Sequence, residues 1–298
     1  MTTRTDILAR MRLPGSPVQL AVLRIAMGLQ IFYALHSEIF GLLLAVGERQ
    51  RVKTIFPAWL DDALPAMVPV LLPVAKVLAV LMVLGLFSRV VLPLLTVVFL
   101  LLYAFYYLGV NAPIQWLYLW FPLVVLCFAP CAHELSLDAL LYRARVCAER
   151  ERGRVQYRWP VELMVAWFAY IYAAAGIAKV LPVLKGVTWL NGQTSKEILY
   201  HRFIDSPLHY WFGAPLFDYA GASTIYVVLT VAAVVLELLT LVLLFTDRFH
   251  RPVLLMVLCM HFFLYLVGVA GFAQVTVVLG LALLPPIWFD SAYTKLRS

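Results

Sequence analysis

Residues 66–109 read AMVPVLLPVAKVLAVLMVLGLFSRVVLPLLTVVFLLLYAFYYLG and carry charge only at Lys76 and Arg89. About 20 apolar residues in a helix cross the hydrocarbon core of a bilayer, so this run is long enough to cross twice. The break at Gly85 to Arg89 places spans at 66–87 and 90–109. Outward from this pair, the same criterion predicts spans at 18–43, 114–130, 160–181, 222–245, 252–270 and 272–288. The fold class expected is all-α: a polytopic membrane helix bundle of about eight transmembrane helices, forming a single domain over 1–298. Composition agrees, with 64% hydrophobic and 13% charged residues. A soluble domain holds roughly 45–50% apolar and about 25% charged residues, so the excess apolar surface requires lipid.

The formal charge of +7 raises nucleic acid as a partner, but its distribution opposes that reading. Basic residues lie in short runs between apolar blocks, as in Arg143, Arg145, Arg150, Arg152, Arg154 and Arg158. Lys and Arg collect on the cytoplasmic side of membrane proteins. The asymmetry predicts both termini in the cytoplasm, with a basic cytoplasmic loop at 131–158 and outer segments at 46–65 and 182–221. The segment 182–221 carries Trp189, His201, His209, Tyr210 and Trp211, and reads as an interfacial cap with aromatic anchors. Met1 to Gln19 lacks a short apolar core ending at a small-residue cleavage site, so no removable signal peptide is expected. Cys127 and Cys131 stand four apart across Pro130; they read either as a redox pair or as buried, inert thiols. No metal is predicted, since no HExxH or comparable ligand pattern occurs.

Ionisable groups inside spans are costly and are functional candidates by default. Tyr172, Ala175, Gly176 and Lys179 fall at helical spacing and share one face. Small residues there admit another helix or a ligand. Lys179 either snorkels to the interface or acts as a base, because an apolar pocket favours the neutral amine. Glu237 lies mid-span, with Thr230 and Thr240 on its face. It serves either as an interhelical hydrogen-bonding group or as part of a site. His261 has Tyr265 four residues on and Gly268 seven on. It either bonds a neighbouring carbonyl or takes part in chemistry. The residues alone therefore lead to a membrane bundle with a Lys/Glu/His interior.

Beyond these residues, LAVLRIAMGL at 20–29, LGLFSRV at 84–90, Ser136-Leu137-Asp138, YIYAAAGIAKV at 170–180 and TWLNG at 188–192 occur in order along the chain. This set resembles the HTTM (horizontally transferred transmembrane) domain family, the transmembrane part of vitamin K-dependent gamma-carboxylase. His261, ten residues before Gly271, and the acidic Glu237 one helix earlier add to the resemblance. The resemblance implies that Lys179 is a base associated with a quinone or hydroquinone of the vitamin K kind. His261 and Glu237 would join it as catalytic groups. Tyr172, Gly176, Trp189, Tyr265 and Gly271 would line the cofactor site. It further implies a bacterial inner-membrane protein working with a thioredoxin-like redox protein or a peptide substrate. The carboxylase carries a large soluble domain after its helices, which a chain ending at Ser298 is expected to lack.

The function expected is quinone-linked redox or carboxylase-like chemistry in the membrane. Two other classes stay open: a non-catalytic module that binds membrane lipid or assembles a partner complex, and a small transporter. The absence of an inverted repeat and of paired broken helices opposes the transporter.

Overall fold

The computed structural model of the protein describes residues 7–36, 57–110, 115–144, 146–147, 156–181, 189–202, 206–213, 224–246, 248–267, 273–286 and 288–291. Every regular element among them is helical. In chain order the helices are α1 (Ile7–Met11), α2 (Pro17–Ala34), α3 (Ala58–Leu84), α4 (Ser88–Val110), α5 (Gln115–Phe128), α6 (Leu137–Leu141), α7 (Arg158–Val180), α8 (Gln193–Arg202), α9 (Pro207–Phe212), α10 (Thr224–Leu239), α11 (His250–Leu266) and α12 (Ala273–Leu283). Two 3-10 turns, Trp189–Asn191 and Thr240–Leu244, precede α8 and extend α10. Among the described residues, Pro17–Ala34, Asp62–Leu84, Arg158–Val180 and Thr224–Leu244 are long and apolar enough to cross a membrane. Ser88–Ala104, Tyr118–Phe128 and His250–Leu266 are shorter apolar helices.

Two predicted boundaries move. The first span was expected to run to residue 43, but α2 ends at Ala34, where Leu35 and His36 close the last turn on Ile31 and Tyr33; residues 37–43 lie outside the described residues. The second span was expected to begin at residue 66, after an outer segment 46–65, yet α3 already begins at Ala58 and runs through Pro65, Pro69 and Pro73. A proline ends most soluble helices, but in an apolar helix neighbouring groups and local adjustments satisfy the freed carbonyls.

The chain divides into two compact units, residues 12–161 with 285–298, and residues 1–11 with 162–284. In the first, α3 packs against α2 and α4, and α5 against α4 and α2. Ser16 caps α2, its hydroxyl accepting from the Gln19 amide at 3.2 Å, and Pro17 supplies a ready-made first turn. A Cβ on Gly28 would lie 2.7 Å from Val83, so glycine lets α2 approach α3 closely. Leu20, Leu23, Met27 and Ile31 are fully buried, whereas Val70, Val77, Val97 and Phe128 are largely exposed. Apolar side chains on outward faces suit lipid contact.

One corner of this unit gathers three of the stretches that carry the resemblance. Gly85 ends α3 in a left-handed conformation (φ 64°), with its own amide bonded to Met82 O and that of Leu86 to Leu81 O. Asp138 caps the start of α4, accepting from the amides of Phe87 at 2.8 Å and Ser88 at 2.7 Å. The Asp138 amide donates to Gly85 O at 3.0 Å. Arg24, fully buried, donates from Nη1 to Cys131 O at 2.8 Å and from Nη2 to Leu135 O at 2.5 Å. A Cβ on Gly85 would stand 2.4 Å from that of Ser136 and 2.7 Å from the Arg24 guanidinium. This guanidinium therefore braces a turn rather than facing a ligand.

Candidate functional site

In the unit formed by 1–11 and 162–284, α7 presents Tyr172, Gly176 and Lys179, two helical turns apart end to end. Each meets a group from another element. The Tyr172 hydroxyl lies 2.7 Å from Nε2 of His261 on α11, with the two rings stacked at 5.8 Å between centroids. His261 is bonded through Nδ1 to the hydroxyl of Thr276 on α12. An imidazole with both nitrogens occupied by hydroxyls can pass a proton from one side to the other, since either hydroxyl donates or accepts. Tyr172 and His261 are 3% and 5% exposed, so this chain of hydrogen bonds lies in the interior of the unit.

Two turns further along α7, Lys179 forms an ion pair with Glu237 of α10. Nζ also stands over the indole of Trp189, 5.5 Å from the ring centroid. The Glu237 side chain is 9% exposed and that of Lys179 18%, placing the pair close to the edge of the buried region. Gly176 allows the close approach: a Cβ there would be 3.2 Å from both Glu237 Cβ and Leu238. Thr240 ties the same two helices, donating at 3.3 Å to Ala169 O and at 2.6 Å to Glu237 O. Of the three side chains predicted from the sequence as catalytic, Lys179 lies on the stripe of α7 that also carries Tyr172 and Gly176, and Glu237 and His261 stand against that stripe. Trp189 joins them at Lys179. Tyr265 is 54% exposed and stands outside this buried set, and Gly271 lies outside the described residues. Thr230 shares the buried face of α10 with Glu237, as expected, and bonds to Ser195 of α8 at 2.5 Å and to Tyr226 O at 2.8 Å.

Above the pair, α8 and α9 pack on α10 and α11 through Leu199, Leu208, Tyr226 and Val267. Gly192 (φ 77°) turns the chain against α10, where a Cβ would lie 2.6 Å from the Val227 amide. Tyr210 and Trp211 are largely exposed, as anchors at a membrane surface would be.

Reading by spans missed several buried polar groups. Arg10, in the N-terminal segment expected on the cytoplasmic side, is fully buried. Its Nε donates to Glu162 Oε2 at 3.0 Å and its Nη2 to Leu243 O at 2.5 Å. Glu162, also fully buried, is an acid within an apolar helix, a signal that the default rule for intramembrane charges would have caught. Thr276 carried no such signal, since a lone threonine in an apolar run is ordinary. All four cysteines are free thiols, with no disulfide between Cys127 and Cys131. Burial pushes the Cys131 thiol up to about 12, which withholds the thiolate needed for exchange. Among the described residues no three His, Cys, Asp or Glu side chains are grouped to hold a metal.

The family model described as the HTTM domain matches residues 13–287, nearly the whole chain and both units. No match was found among curated proteins, nor among solved structures. With its long apolar helices, this match makes the chain an integral membrane protein.

Proposed function

We propose that this chain, which belongs to the HTTM domain family, is a membrane enzyme with quinone-linked redox or carboxylase-like chemistry. The observation that carries the reading is the pairing of polar groups along α7, Tyr172 with His261 and Lys179 with Glu237, at points about 10 Å apart on one helix face. A quinone ring carries an oxygen at each end, and it is bound where convergent polar groups punctuate apolar walls. The Tyr172–His261 pair suits one oxygen and Lys179 the other. A bound hydroquinone would supply two protons to the chain's groups and two electrons to the disulfide of a thioredoxin-like partner, which would be reduced to the dithiol. The chain's own groups would place and move the protons: Glu237 takes one from Lys179, and the freed amine is then the base. His261 passes a second between Tyr172 and Thr276. Trp189 holds the ammonium over its ring until the ion pair opens.

A second reading is a non-catalytic module that binds lipid or assembles a partner complex. The saturation of Lys179 by Glu237 and Trp189 favours it, because an ion pair of this kind also serves purely to hold helices together. To separate the two, the protein is purified in mild detergent and extracted, and co-purifying quinone is identified by mass spectrometry. Quinone is expected with the wild type and is expected to be oxidised or reduced on turnover. His261→Ala is expected to keep its fold and lose turnover by about 100-fold, the scale of a lost proton-transfer group. If no quinone is extracted, none binds when added, and His261→Ala behaves as wild type, the module reading replaces the enzyme.

We further infer a multi-pass bacterial inner-membrane topology of about eight spans, with both termini cytoplasmic, and a thioredoxin-like protein or a peptide as partner. Cys147, exposed in the arginine-rich stretch, tests the orientation. A membrane-impermeant maleimide is expected to label Cys147 in inverted vesicles and not in spheroplasts. Cys131, buried, should react only after denaturation. Labelling of Cys147 in intact spheroplasts would reverse the topology.

A further inference from the structure

We propose that a cavity at the start of α4 and the end of α5 binds a phosphate group, a site independent of the quinone reading. The cavity, of about 350 Å3, lies wholly in the unit formed by 12–161 and 285–298. Its polar lining includes Ser88, Arg89, His133 and Gln156, with Trp159 beside them and Leu92, Leu126 and Phe128 forming an apolar wall.

Three features select an anion. Arg89, exposed in the first turn of α4, offers a planar fork of donors that matches phosphate oxygens in pairs. Ser88 is 3% exposed, and its hydroxyl finds no hydrogen-bond partner among the described residues. Buried hydroxyls are nearly always satisfied, so an acceptor is called for. His133 is held by a 3.0 Å hydrogen bond between Nδ1 and the Tyr157 hydroxyl, which fixes its ring in the cavity wall.

Among the described residues no carboxylate lines this cavity. Asp138 lines a second one, of about 240 Å3, shared with Arg89 and His133, and its oxygens already accept from the Phe87 and Ser88 amides. Phosphate suits the larger space better than a carboxylate, because its oxygens can accept from Arg89, His133, Ser88 and Gln156 together. The apolar wall gives an acyl chain a way out past Phe128, which is 78% exposed. The shared chemistry is a phosphate group, carried either on a lipid or free in solution.

The test uses full-length protein, delipidated in neutral detergent, with three probes: dioleoylphosphatidic acid, dioleoylglycerol and inorganic phosphate. Saturable binding of phosphatidic acid near one per chain, not displaced by dioleoylglycerol, is the expected result for a lipid source. Saturable binding of inorganic phosphate identifies a free one. In either case Arg89→Gln is expected to weaken binding by about tenfold or more, the scale of one lost charge-assisted hydrogen bond. His133→Ala weakens it less, and Arg143→Gln, in the same basic stretch but away from the cavity, leaves it unchanged. The proposal fails if neither phosphate probe saturates, or if Arg89→Gln and His133→Ala both bind as wild type. It also fails if Arg143→Gln weakens binding as much as Arg89→Gln, which would mark a general attraction of charge.

Discussion

Lys179→Ala is expected to reduce quinone turnover by about 100-fold or more and, on its own, to destabilise the protein. The two effects have different causes. Removing the ammonium leaves the Glu237 carboxylate, whose side chain is 9% exposed, without its cation. Breaking one side of a buried ion pair costs about 3–5 kcal/mol. An inactive Lys179→Ala would therefore be ambiguous. The combined variant Lys179→Met with Glu237→Gln separates the terms, because both charges leave together and the volumes are nearly kept. Its thermal midpoint in detergent should return close to that of the wild type, since a buried pair often contributes no more than well-packed neutral groups. Turnover should not return, because neither group can then hold or release the proton. A variant that regains both stability and turnover would make the pair a helix clamp, and the assembly reading would lead.

Arg24→Leu should destabilise the other unit by about 3 kcal/mol or more. Its guanidinium, fully buried, holds the carbonyls of Cys131 and Leu135. A carbonyl left buried and unpaired costs about 1–3 kcal/mol; that of Cys131 is buried and that of Leu135 part-buried, and leucine can satisfy neither. Leu135 itself sits at φ 46°, a conformation uncommon for a non-glycine residue, which its bonded carbonyl helps to hold. Arg24→Lys should recover only part of the loss, because an ammonium is a point donor and cannot reach two carbonyls with a rigid fork. Unfolding followed by tryptophan fluorescence would measure this. A shift under about 1 kcal/mol for Arg24→Leu would mean that the corner is held by Asp138 and Gly85 without the arginine.

Much of the architecture was legible because lipid sets a simple rule. A helix in hydrocarbon must be apolar for about 20 residues, and the blocks at 66–109, 160–181 and 222–245 meet that rule without any knowledge of what they pack against. The rule marks the apolar block and not the helix: the span expected from residue 66 is part of a helix that begins at Ala58. The polar groups on α7 were also legible, since Tyr172, Gly176 and Lys179 follow helical spacing and spacing is local. Their partners were legible only as candidates. His261 and Glu237 stood out by being charged or titratable in apolar runs, while Thr276 did not.

What the sequence determined by itself was therefore local: which segments are helical and apolar, which face of α7 is polar, and where net charge collects. What only the tertiary structure decided was pairing. Nothing local shows that Tyr172 meets His261 across 89 positions, or that Arg10 meets Glu162 across 152. Nor does it show that Arg24, Gly85 and Asp138 close on one turn. Helical periodicity fixes a side chain's direction around its own axis, but the identity of the group opposite depends on how distant helices are brought together.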